Sequence, residues 1–199
     1  MSRYTVDDIL KLEPCSPYTR REIRKLWGKR KSLSLASIMK LGIPVADKLW
    51  VACYLLDHRS LVAWACDCAE RTLPIFEKKY PEDKRPRNAI EVTRAWLAGK
   101  ATLKEVETAA DAADADAAAV PYDAFAANSA AIYAAANSAT YATCATYANS
   151  AAPAADAAAN SATCATYAAY AAYAAPAADA ERAWQFERLL EYIRGEVTL

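Results

Sequence analysis

Apolar positions in this chain recur in steps of three and four, and alternation in steps of two never lasts a strand's length, which predicts an all-α protein. The best-formed stretch is 57–99, DHRSLVAWACDCAERTLPIFEKKYPEDKRPRNAIEVTRAWLAG. Asp57 or Ser60 can cap a helix in which Leu61, Trp64, Ala65, Cys68, Thr72 and Phe76 form one buried face. Asp67, Glu70 and Arg71 then fall on a solvated face, where Asp67 and Arg71, four apart, form an ordinary helix ion pair of ~0.2–0.5 kcal/mol. Pro74 is expected to kink this helix or open a new turn, because it removes a backbone donor and crowds the preceding turn. The X-Pro steps at Tyr80 and Arg85 disfavour helix, and Pro86 suits the first position of a second helix over 86–98. Ala89, Ile90, Thr93, Trp96 and Leu97 are its apolar face, and Gly99 its C-terminal cap.

Upstream, Thr5 can cap a short helix that must stop near Pro14. The run 16–18 then starts a basic helix, TRREIRKLWGKRK, with Ile23, Leu26 and Trp27 on its apolar side. A short helix over 34–41 ends at Gly42, and Pro44 opens another with Leu49, Trp50, Cys53, Tyr54 and Leu56 in its apolar set. These helices are expected to pack against the pair in 57–99.

Downstream of residue 104 alanine dominates, and its high helix propensity predicts helices over about 122–150, 153–174 and 177–194, separated by Pro121, Pro153 and Pro176. NSATYATCATYANSAAPAAD at 137–156 recurs as NSATCATYAAYAAYAAPAAD at 160–179, 15 of 20 positions identical, which reads as a duplicated helix and turn. Tyr133 and Tyr141 lie on one stripe, Tyr167 and Tyr170 on its counterpart; small residues let backbones approach and tyrosines fill the gaps. The closing ERAWQFERLLEYIRGEV is amphipathic through Trp184, Phe186, Leu189, Leu190 and Ile193, and should return to the core or form an interface. The tract has too few large apolar residues to bury its circumference, so a homo-oligomer is expected.

Charge sharpens this picture. The 24 basic and 24 acidic residues cancel overall, but 1–60 carries twelve Lys or Arg against six acids, and 111–180 carries six Asp with no Lys or Arg. The halves are complementary, within one chain or head to tail between chains. The basic run from Arg20 to Lys31 raises phosphate binding, yet no nucleic-acid motif surrounds it, and a solvated basic face is the plainer reading; specific nucleic-acid binding is not expected. Six cysteines, at 15, 53, 66, 68, 144 and 164, lack the spacing of a disulfide framework, no secretory signal is seen, and a cytoplasmic protein with reduced thiols is expected. No strongly apolar run is long enough for a membrane span. Cys66 and Cys68 point to different faces and His58 stands alone, so neither metal nor cofactor is expected.

Catalytic signatures are missing: there is no Gly-rich phosphate loop and no nucleophile with a base at a recognised spacing, so the chain reads as a non-enzyme. Binding is the better prospect. Arg85 and Arg87 flank Pro86 at a helix start, where free backbone donors and guanidinium groups favour an anion; alternatively the two pair with Asp67, Glu70 or Glu91. The candidate partner-binding set is Arg85, Arg87, Arg71, Asp67, Trp64 and Tyr80, although Trp64 and Tyr80, like Trp96, also suit the core.

The runs WACDCAER, LPIFEKKYP, DKRPRNAIE and RAWLAG, preceded by GIPVADKLWVA and followed by the alanine-rich tract, resemble the Imm-5-like domain of bacterial immunity proteins over roughly 40–108. The resemblance implies a place in polymorphic toxin systems and a role in binding and neutralising a protein toxin. With the shift to alanine past residue 108, a helical core domain is expected at 1–108, Imm-5-like by this resemblance, and an alanine-rich repeat region at 109–199 packed on or extending from it. Two other readings remain open: a helical oligomeric sponge for a small anionic nucleotide signal, and a structural interaction module.

Overall fold

A computed structural model describes residues 2–14, 17–119, 157, 158, 160, 161, 164 and 175–197. The expected helices over 122–150 and most of 153–174, with the tyrosine stripes, Pro121 and Pro153, lie outside the described residues.

Among the described residues the architecture is all-α apart from one small ribbon, in which β1 (Arg3–Tyr4) pairs antiparallel with β2 (Leu33–Ser34), Arg3 opposite Ser34. Between them lie α1 (Val6–Leu10) and α2 (Arg20–Trp27); α3 (Leu35–Ile38) and α4 (Val45–Leu55) follow. Local chemistry sets these starts. Thr5 and Asp8 form a reciprocal capping box, and the Thr5 N–H and hydroxyl hold the Asp8 carboxyl below its ordinary value. Thr19 and Ser34 cap α2 and α3, and Pro44 stands at the start of α4.

The centre of the molecule is α5 (His58–Lys79), 22 residues and thus about 33 Å long. Asp57, rather than Ser60, supplies its cap. It runs on through Pro74 as one helix, with Leu73 and Phe76 buried on either side of the proline, so packing outweighs the missing donor. The expected single buried face is also exceeded. Every residue from Ser60 to Ala69 is buried, because neighbours enclose this half of the helix on all sides.

Those neighbours are α6 (Arg85–Leu97) and α8 (Ala175–Arg194), together with the helical residues around Ser161, whose hydroxyl donates to the Ala65 carbonyl at 3.1 Å. α6 ends as expected at Gly99, whose φ of 70° permits the turn in which Gly99 and Lys100 donate to the Trp96 and Ala95 carbonyls. α7 (Leu103–Ala119), capped by Thr102 and Glu105, then packs on α6, where Ala89, Ala109 and Ala113 let the two backbones come close. One apolar cluster runs from Val6 and Ile9 through Trp27, Val51 and Leu61 to Leu189 and Tyr192, so the closing helix belongs to the core. No helix among the described residues is long and apolar enough to cross a membrane.

Candidate functional site

Asp67 sits in the enclosed half of α5, 9% exposed. Its Oδ1 accepts from Arg94 Nη2 of α6, and its Oδ2 accepts from Arg188 Nε at 2.6 Å and from the Tyr192 hydroxyl at 2.7 Å, both of α8. Arg94 also donates to Glu70, at 3.0 and 2.9 Å, and Arg188 to Glu191. Burial works against the charge on both arginines, but these carboxylates more than offset it and hold each guanidinium above its ordinary range. Burial, then the Asp67 charge, raises the Tyr192 phenol. One turn further along α5, Arg71 Nε donates to Glu181 at 2.6 Å while its guanidinium lies 4.4 Å from the centre of the Trp184 ring. Gln185 donates to the same Glu181 carboxylate at 3.2 Å, and Trp64 donates its indole N–H to the Gln185 carbonyl at 3.0 Å.

The chemistry open to this centre follows from its partners. Both oxygens of Asp67 are already engaged, by two guanidinium groups and a phenol. Burial pushes the neighbouring Cys66 thiol up to about 12 and raises that of Cys68 well above 9.0, so both stay protonated and weakly nucleophilic. The cluster fastens α6 and α8 to α5.

Asp67 does not lie on a solvated face, and its partners are Arg94 and Arg188 rather than Arg71, because the helices that enclose α5 bring longer-range arginines to it. The buried side of α8 is formed by Ala178, Glu181, Gln185, Leu189 and Tyr192, whereas Trp184, Phe186, Leu190 and Ile193 are half-buried at its flanks. A partly polar face can be buried because α5 offers Asp67 and Arg71 as partners.

Arg85 and Arg87 occupy a different place, the turn between α5 and α6. Arg85 is clasped by Asp83, with Nε to Oδ1 at 3.0 Å. Arg87 donates twice to Glu77, Nη2 to Oε2 at 2.6 Å, and through this pair the Glu77 carboxyl lies below its ordinary value and the Arg87 guanidinium above its own. Their partners are thus Asp83 and Glu77 rather than Asp67, Glu70 or Glu91. Tyr80 ends α5 beside them, half-buried against the Phe76 ring at 5.3 Å. Glu82, Asp83, Lys84, Arg85 and Asn88 line an open depression at this turn.

The six residues singled out by sequence therefore form two groups: Trp64, Asp67 and Arg71 in or beside the α5–α8 seam, and Tyr80, Arg85 and Arg87 at the exposed turn. Arg94, Glu181, Arg188 and Tyr192 were missed. The available signal was the row Glu181, Gln185, Arg188, Tyr192, polar groups at helical spacing in a helix that otherwise reads as amphipathic.

Fold and site together define an all-α protein built on one central helix, with charge pairs locking its interior and a dense charged turn at its edge. Residues 52–192 match the family described as Imm-5 like putative immunity protein, well over half of the chain, and the protein belongs to that family. The match spans α5, α6, α7 and nearly all of α8, and leaves α1, α2 and α3 outside. No curated protein and no solved structure matches the chain.

Proposed function

We propose that this protein is a non-catalytic immunity protein that binds a protein toxin stoichiometrically, through the α5–α6 turn that carries Arg85 and Arg87. Membership of the immunity family over 52–192 carries the reading. The turn supports it physically. Its ion pairs are half-exposed, so Asp83, Glu77 and the two arginines can exchange partners with an incoming charged surface at small cost. Asp67 is enclosed and tied to Arg94 of α6, so the seam serves to hold the turn's two helices in register. A small anionic nucleotide is the weaker reading, since Arg71, Arg85 and Arg87 each already face a carboxylate that would compete with it. Self-association through the alanine-rich tract belongs to the proposal as well, and light scattering at tens of micromolar reads it.

The proposal predicts a toxin gene beside this one, and the test is co-expression of the two. The chain should restore growth, and Arg85→Ala with Arg87→Ala should lose that protection while still accumulating as folded protein. Growth arrest unrelieved by the intact chain would refute the assignment.

A further inference from the structure

The N-terminal 51 residues lie outside the family match, and they carry eleven Lys or Arg against five acids. On α2, Ile23 and Trp27 are buried and Leu26 half-buried, while Arg21, Arg24 and Lys25 share the opposite side within ~100° of arc. Gly28, at φ 58°, turns the chain so that Lys29, Arg30 and Lys31 follow at the end of the helix. The β1–β2 pairing brings in Arg3, which donates to the Ser32 hydroxyl at 3.0 Å and to its carbonyl at 2.8 Å.

Some of these cations are committed. Arg20 pairs with Asp7, Lys25 with Glu22 at 2.8 Å, and Arg30 folds back on the Leu26 and Trp27 carbonyls at 2.9 Å. Arg21, Arg24, Lys29 and Lys31 are exposed and have no side-chain partner among the described residues. We propose that this face docks on the phosphate backbone of a nucleic acid strand, irrespective of base sequence.

What the face lacks decides between a polyphosphate and an acidic protein. Protein interfaces are organised around buried aromatic or aliphatic anchors, and charge is depleted at their centres. Here Ile23 and Trp27 are buried and Leu26 half-buried on the side of α2 away from these cations, and the exposed large apolar side chains among the described residues, Val45 and Leu103, belong to α4 and α7. Binding to a phosphate backbone needs no such anchor, because its affinity comes from neutralising phosphates and releasing their counterions. This face offers no exposed aromatic ring on which bases could stack, and its exposed Arg and Lys side chains suit contacts to phosphate, which carry no sequence information.

The test is fluorescence anisotropy of the full chain with labelled mixed-sequence DNA and RNA. Four phosphate contacts imply a slope of about −3 to −4 for log affinity against log salt on duplex DNA, or roughly a hundredfold loss between ~50 and ~200 mM salt. Arg21→Gln, Arg24→Gln, Lys29→Gln and Lys31→Gln together should bring that slope toward zero with helicity unchanged, and Arg21→Lys with Arg24→Lys should keep it. DNA and RNA of unrelated sequence should bind alike, and poly-glutamate should fail to displace them. The proposal is overturned by absence of binding at low salt, by full binding in the folded four-site variant, or by poly-glutamate competing as well as nucleic acid, which would make the face a site for acidic protein.

Discussion

Asp67 and Arg188 lie 121 residues apart in the chain and meet at 2.6 Å, with the Tyr192 hydroxyl on the same carboxylate oxygen. Arg94 takes the other oxygen, so this one carboxylate joins three helices. Asp67→Asn keeps the shape and removes the charge, which leaves each partly buried guanidinium with one carboxylate in place of two, Glu70 for Arg94 and Glu191 for Arg188. The expected loss is about 3 kcal/mol, the lower end for a broken buried pair because both arginines retain some exposure. In a chain of this size that lowers Tm by roughly 6–12 °C. A fall of under ~1 °C would mean the arginines relax into solvent and the seam is held by apolar contacts alone.

Burial of Cys66 and Cys68 gives a second measurement. Their raised values mean that the folded state disfavours the thiolates. Stability is therefore full below the ordinary thiol value of 9.0 and declines as pH rises from there toward about 12, the Cys66 value in the fold. Labelling of these thiols by an aromatic disulfide at neutral pH should proceed only as fast as the protein opens. Rapid labelling of the native chain at either position would contradict the enclosed α5.

At acid pH the Arg87–Glu77 pair dominates the α5–α6 turn. Glu77 has a lowered value in the fold, so its contribution is present above the ordinary value of 4.5 and is lost as pH falls through the lowered one. Arg87→Gln should cost about 0.5–1 kcal/mol at neutral pH, in keeping with a half-exposed pair, and the difference from the parent should vanish once Glu77 is protonated in the fold. Urea titrations at several pH values check this. A difference that persists undiminished in acid would show that Arg87 acts through packing.

Much of the fold was legible because its signals are local. The cap at Asp57, the start near Pro86, the stop at Gly99 and the apolar set Ala89, Ile90, Thr93 and Leu97 depend on neighbours within a turn or two, and each appears in the structure. The charged seam was not legible. Asp67 has Arg71 at helical spacing, and nothing local reveals that Arg94, Arg188 and Tyr192, 27 to 125 residues away, will reach it first. The depth of α5 was hidden for the same reason, since periodicity along one helix reports one packed side and cannot count the helices that arrive later. Arg85 and Arg87 were placed correctly at a helix start, yet their partners Asp83 and Glu77 come from the turn and the preceding helix.

The α6–α7 contact predicts a strong size dependence. Ala113 is fully buried where α7 meets α6, in a cluster with Ala89 and Ala109. Ala113→Leu should force the helices apart at a cost of about 1–3 kcal/mol, whereas Ala112→Leu, half-buried one residue away, should cost much less. Equal effects in thermal melts would mean that the start of the alanine-rich tract is not closely packed.

The most direct test of the proposed role is a calorimetric titration of the intact chain into a candidate cognate toxin, with toxin activity followed in parallel. A stoichiometric inhibitor whose contact surface is the α5–α6 turn should neutralise the toxin only as a fixed ratio is reached, and Arg85→Ala with Arg87→Ala should weaken binding tenfold or more, about 1.4 kcal/mol, with helicity unchanged. Full neutralisation at a small fraction of that ratio would reveal an enzyme, and undiminished affinity in the folded double variant would remove the turn from the interface.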